Sequence, residues 1–346
     1  MYYILLCTLG LMACGGSDDT PDIPTPRVGE NPIPSERGGA PAIWEATTFS
    51  FLFFGGMNPI TDDTWRYSTT EGAWTELVSA TTPAARCHHT LISDKNNLTS
   101  LMFGGFSNSG RFNDLWQFDH ANNQWQKLSP TGDLPIERCL HMAVAIETTQ
   151  QMLVYGGIRG SGNNESDFFG DTFLYDVANN SWQEIAGQGP GRRSGSIGFF
   201  SLLENAVYLW GGKDVNNFPN DLWRFDMQHL RWQAIETSGV LPQGREDPVY
   251  YFNPTENTLL IFSGRNDNAP GDKLLNDTFE LSLSDRTWTE ITVENAPPPR
   301  WRASLSFDNT QGMGYMFGGW QDFGGASAFN DNWQFDYVAR QWLLIE

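Results

Sequence analysis

The stretch from Gly104 to Asp119 reads GGFSNSGRFNDLWQFD, and from Gly211 the chain writes nearly the same line again as GGKDVNNFPNDLWRFD. A self-similar line at a fixed period constrains the fold more than composition does, because it implies supersecondary units that bury their faces only by stacking. The frame occurs six times. Glycine pairs end at Gly56, Gly105, Gly157, Gly212 and Gly319, and Ser263-Gly264 takes the remaining place. An aromatic precedes each pair: Phe54, Phe103, Tyr155, Trp210, Phe262 and Phe317. An Asp follows, two residues before another aromatic: Asp63, Asp114, Asp171, Asp221, Asp277 and Asp331. A later tryptophan closes each unit: Trp74, Trp125, Trp182, Trp232, Trp288 and Trp342. Upstream, Pro-x-x-Arg ends at Arg37, Arg86, Arg138, Arg193, Arg245 and Arg302. The spacing from Arg to second glycine is 19 residues in five units and 17 in the last.

Each unit of about fifty residues divides into four short runs, as in HTLIS from His89, LTSLMF from Leu98, DLWQFD from Asp114 and QWQKL from Gln124. Their length and their β-branched and aromatic content predict strands. Asn-rich turns such as HANNQ from His120 separate the last two. The expectation is an all-β chain of six sheets, each of four antiparallel strands, arranged in a ring that covers every sheet face: a six-bladed β-propeller. The tryptophans and the aromatics before the glycines would fill the spaces between blades, which accounts for the 14% aromatic content.

A hydrophobic run into Gly-Gly, an aromatic-rich third strand and a Trp in the fourth resembles the kelch motif, whose period is near fifty residues. The resemblance covers about residues 34–346, with blades at about 34–82, 83–134, 135–189, 190–241, 242–298 and 299–346. Ser263 departs from the glycine frame. The first unit has its own first strand and the last its own fourth, so six self-contained blades are expected, none shared between the termini.

The leader MYYILLCTLGLMAC is apolar, too short to span a bilayer and suited to a signal peptide. LMAC followed by Gly-Gly-Ser-Asp-Asp resembles the bacterial lipoprotein signal. That resemblance implies a signal peptide at 1–13, acylation of Cys14, a flexible tether over 14–33 and an exported chain anchored to the cell envelope. The net charge of −20 argues against nucleic acid as a partner. Cys87 and Cys139 occupy one frame position in adjacent units. They are a candidate disulfide pair, with a Cys/His metal site using His89 or His141, or two free buried thiols, as alternatives.

The loops between second and third strands vary most, from MNPIT at Met57 to IRGSGNNESDFF at Ile158. Divergent loops on one face of a fixed scaffold make a binding surface. Phe106, Phe112, Phe168, Phe169, Phe218, Trp320, Phe323 and Phe329 are candidate contacts there. The six frame arginines, matched by six aspartates, read as internal ion pairs clamping the blades. Arg192, Arg300 and Trp301, which break the frame, and Arg265 read as ligand contacts. No nucleophile elbow, HExxH or phosphate loop occurs, and no cofactor or metal is expected. The reading is a non-enzymatic envelope protein that binds a protein or glycan on the variable-loop face. The alternatives are a carbohydrate-active enzyme resembling the sialic acid mutarotases and a structural component of an envelope complex.

Overall fold

A computed structural model of the chain describes residues 32–94, 98–322 and 325–345. The expected leader, the expected tether up to residue 31, acylated Cys14 and contact Phe323 lie outside these residues. Six antiparallel four-stranded sheets follow one another, each a simple meander. In blade 1 the strands are Ala42–Glu45, Ser50–Phe54, Thr64–Ser68 and Ala73–Leu77, paired in sequence order. Blade 6 is equally self-contained, from Ser304–Asp308 to Gln341–Leu344. The chain folds as an all-β six-bladed propeller. One short 3-10 turn, Glu165–Asp167, interrupts the strands within a loop of blade 3.

The ring is built by burying each sheet against its neighbours. Six apolar clusters each draw on two adjacent blades, one per seam. Each frame tryptophan packs backwards into the seam with the preceding blade. Trp125 meets Phe54 of blade 1 with ring centroids 5.2 Å apart, and its Nε1 donates to Thr64 Oγ1 at 3.0 Å. At the closing seam Trp74 of blade 1 meets Phe317 of blade 6 at 5.1 Å, and Phe53 stacks on Phe317 at 5.5 Å. Offset and edge-on pairs of this kind add roughly 0.5–1.5 kcal/mol each beyond the area they bury.

The linkers between blades also do structural work. Thr131–Gly132 pairs in parallel with Ser181–Ile185, the outer strand of blade 3, and Ser238–Gly239 does the same on Thr287–Glu290 of blade 5. Glu294 forms a similar bridge to Gln341 of blade 6. The linker leaving one blade therefore covers the exposed edge of the next, which blunts an edge that would otherwise template aggregation. These residues attach forward of the boundaries expected at 134 and 241.

Candidate functional site: the channel mouth

The loops joining second and third strands share one face of the ring with the chain entering each first strand. The frame arginine anchors this face. In blade 2, Arg86 is fully buried; its Nη1 and Nη2 donate to Asp114 at 2.6 and 3.0 Å, Nη1 to Gly104 O at 2.9 Å and Nε to Ala84 O at 2.9 Å. Trp116 Nε1 also donates to Asp114, at 2.8 Å. Burial alone would raise the Asp114 carboxyl, but the hydrogen bonds and charge of Arg86 hold it below the usual carboxylate range. The same pairs form at Arg37–Asp63, Arg138–Asp171, Arg193–Asp221 and Arg245–Asp277.

The sixth pair corrects the sequence assignment: Arg300, not Arg302, holds Asp331, at 2.6 Å. Arg300 stands 19 residues before Gly319, the spacing of the other five blades. The Pro-x-x-Arg pattern had selected the wrong arginine of PPPRWR, and Arg300 is therefore no free ligand contact.

Glycines place the loops against the next blade. An added Cβ at Gly55 would lie 2.4 Å from Arg86 O, so a side chain there would force the seam apart. The second glycine of every pair donates its amide to the carbonyl of the next blade's clamp arginine, Gly56 to Arg86, Gly105 to Arg138, and so on to Gly319 with Arg37, all between 2.8 and 3.0 Å. Ser263, where the frame lacks a glycine, is accommodated at φ 57° by its hydroxyl, which accepts from Arg300 N at 2.7 Å and lies 2.7 Å from Arg300 O.

Two residues after each clamp arginine stand Gly39, His88, Leu140, Gly195, Asp247 and Arg302, all at left-handed φ between 48 and 71°. Their backbones close a hoop. His88 N donates to Gly39 O, Leu140 to His88, Gly195 to Leu140, Asp247 to Gly195, Arg302 to Asp247, and Gly39 to Arg302, at 2.8–3.2 Å. The hoop rims a central cavity of about 210 Å³ that takes residues from all six blades.

The frame is constant here, but the side chains are not. Arg302 Nε donates to Asp247 at 2.6 Å, and its Nη1 lies 3.1 Å from His88 Nε2. A guanidinium only donates, so His88 Nε2 accepts and its proton sits on Nδ1. Burial, then the charge of Arg302, keeps His88 neutral, well below the usual imidazole pKa. Glu246 is buried between Arg302 and Arg265, each 3.6 Å away; its burial raises the carboxyl pKa despite the arginines. Lys213 and Arg265 both reach Asp267, at 3.2 and 2.6 Å. Paired charges thus cluster over blades 4 to 6, while over blades 2 and 3 an apolar cluster of Cys139, Ile158 and Phe168 stands beside Arg111 and Arg159.

Most of the expected aromatic contacts are not available to a ligand. Phe168, Phe169, Trp301 and Trp320 are buried. Phe112, Phe169 and Phe329 roof the clamp guanidiniums of Arg86, Arg138 and Arg300 at 3.9–4.1 Å, a cation–π use of the ring face. Trp301 lies between Arg265 and Arg302, 4.5 and 4.2 Å from their guanidiniums. Phe106 and Phe218 are half-buried. Of the arginines expected as ligand contacts, Arg192 is exposed, donating to Phe168 O at 2.7 Å, and Arg265 is half-buried. Cys87 and Cys139 are free buried thiols, not a disulfide, and burial pushes the Cys87 thiol up to about 12. His88, Asp247, Glu246 and Arg302 escaped the sequence reading as mouth residues, although their offsets of one and two from the clamp arginine were a usable signal.

Known proteins carry the same repeat. Residues 22–202 and 199–346 match the family described as the KLHDC2/KLHL20/DRC7 Kelch-repeats domain. The chain is 26% identical over 306 residues to the leucine-zipper-like transcriptional regulator 1 homolog of Drosophila melanogaster, covering 84% of this chain and 29% of that protein. It is 25% identical over 324 residues to the flagellar outer-arm dynein alpha chain of Chlamydomonas reinhardtii, covering 83% of this chain and 7% of that protein. It is 26% identical over 277 residues to human host cell factor 2, covering 71% and 32%. The chain spans about a third or less of the length of these relatives. The repeat frame and the match along most of its length place this chain in the Kelch-repeat family.

Proposed function

We propose that this propeller is a non-enzymatic protein-binding module whose partner docks on the face of the channel mouth, and that acylated Cys14 tethers it to a cell envelope. The supporting observation is the contrast within that face. Six near-identical Arg–Asp clamps hold loops of different length and chemistry in fixed positions, which is how a scaffold presents specificity without the cost of ordering a loop on binding. Relatives with regulatory and motor names fit a binding role. A protein is favoured over a glycan on this face because Phe168, Phe169 and Trp320 are buried and Phe112 and Phe329 lie over clamp guanidiniums, while paired charges rim the mouth. The envelope tether rests on LMAC in the sequence alone.

The test is capture of partners by the full chain and by a variant shortened at the tips of the loops spanning 158–169 and 265–275. Loss of the captured protein with an unchanged melting temperature supports the reading; capture that survives both deletions refutes the chosen face. Metabolic labelling with a palmitate analogue, lost in Cys14→Ser, tests the tether separately.

A further inference from the structure

On the opposite face, at the seam between blades 6 and 1, the hairpins joining first and second strands flank an open cavity of about 380 Å³. That volume is within the range of small-molecule sites. Its lining among the described residues is unusual for a chain of net charge −20: tyrosines, threonines, glutamines, a Phe and an Ile, with no Asp, Glu, Lys, Arg or His among them.

Phe49 stands at the last turn position of its hairpin with φ 49°. The corresponding positions in other blades are Gln150, Asn205, Asn257 and Gly312, all at left-handed φ. Asn and Gly tolerate that conformation; an aromatic does not favour it. Phe49 is nevertheless 42% exposed, so burial of its ring does not offset the strain. Its backbone is held in place from below: Thr69 N and Oγ1 both donate to Phe49 O, at 3.1 and 2.7 Å. Across the seam, Tyr315 stacks flat on Trp44 at 5.3 Å and an interplanar angle of 4°, which fixes the wall. Gln334 is half-buried and Gln311 exposed beside it. Each carboxamide offers two donors and an acceptor.

We infer that this seam cavity is a site for a neutral saccharide, with Phe49 as the apolar platform for a sugar ring and the carboxamides of Gln311 and Gln334 as the hydroxyl-binding groups. The chemistry is that of a ligand rich in hydroxyls and without charge: an aromatic face for the C–H side of the ring, uncharged donors and acceptors for its rim, and no counter-ion for a carboxylate, sulfate or phosphate. The left-handed turn is common to these hairpins; what is particular to this seam is that an aromatic residue occupies it, beside the cavity. The site is on the face away from the channel mouth, so it stands or falls independently of the protein-binding role.

The experiment is saturation-transfer NMR on the full chain with neutral glucose-, galactose-, mannose- and N-acetylglucosamine-series trisaccharides at millimolar concentration. Sialylated and sulfated sugars and a short neutral peptide serve as controls. Two variants are tested, Phe49→Asn and Gln334→Ala. The expected result is a neutral sugar whose affinity falls at least tenfold in both variants, while Phe49→Asn melts at the same or a higher temperature because Asn suits the left-handed backbone. The inference is overturned if no neutral sugar gives transfer, if the charged sugars or the peptide bind instead, or if both variants bind as before. A lowered melting temperature in Phe49→Asn also overturns it, since Phe49 would then be kept for packing.

Discussion

The Arg–Asp clamps repeat one chemistry at different depths, which makes their energetics separable. In blade 2, Arg86 and Asp114 are 0% and 15% exposed; in blade 4, Arg193 and Asp221 are 6% and 41% exposed. Asp114→Ala removes two charge-assisted hydrogen bonds and the acceptor of Trp116 Nε1, and leaves a guanidinium that water cannot reach. Breaking a buried pair in this way costs about 3–5 kcal/mol. Asp221→Ala exposes a less enclosed guanidinium edge, where solvent replaces part of what is lost, and about 1–2 kcal/mol is expected. Replacing both partners in blade 2 by apolar residues, Arg86→Met with Asp114→Leu, removes the stranded charge and should cost less than Asp114→Ala alone. Urea unfolding followed by tryptophan fluorescence reads the difference. With a slope of about 3 kcal/mol/M for a chain of this size, Asp114→Ala lowers the midpoint by roughly 1 M or more. Equal shifts for Asp114→Ala and Asp221→Ala, or a double variant as weak as Asp114→Ala, would show that burial does not set the worth of the clamp and refute the reasoning.

Arg300→Gln should destabilise by several kcal/mol, as at any buried clamp, whereas Arg302→Gln should leave the melting temperature closer to that of the parent and alter the mouth; thermal unfolding of the two separates clamp from rim. Ser263→Ala strands the amide of Arg300, costing about 1–3 kcal/mol, while Ser263→Gly strands the same amide but relieves the positive φ and should cost about 1 kcal/mol less. For His141, burial and then Arg138 push the pKa down to about 3. The folded value lies below the unfolded one of about 6.5, so the unfolded chain binds the extra proton and stability from the neutral ring is complete above that pH. It is lost as pH falls toward 3, at up to about 1.4 kcal/mol per unit. His141→Gln, which can still meet the Thr90 hydroxyl, should flatten that slope in denaturant midpoints taken from about pH 7 to 4.

Much of the architecture was legible because it is periodic. The glycine pairs, the aromatics before them and the frame tryptophans each mark a point where one blade touches the next, and six copies made each position readable. The error at Arg302 came from trusting the local Pro-x-x-Arg pattern over the distance to the glycine pair, although the clamp is a contact across that distance: Arg300 Nη1 reaches Gly318 O. The loop aromatics were misread for a different reason. Whether Phe168 or Trp320 faces solvent depends on how a non-repeating loop folds back over Cys139 or Trp301, and no period encodes that. The pairing of Arg302 with Asp247 and His88 joins blades 6, 5 and 2 across the mouth, which no spacing along a single unit could suggest.

The hoop of amides at the rim has an electrical consequence. At the end of a helix, peptide dipoles point one way and add to a lasting partial charge. Here six N–H···O=C vectors run nose to tail around a circle, in one rotational sense, from Gly39 back to Gly39. Laid end to end in a loop, they nearly cancel, so the backbone imposes almost no field along the axis of the pore. What a visiting molecule feels at that opening is set by the four side chains mounted on the circle, those of His88, Leu140, Asp247 and Arg302. Exchanging His88, Asp247 or Arg302 would rewrite the potential while the amide circuit beneath stays as it is.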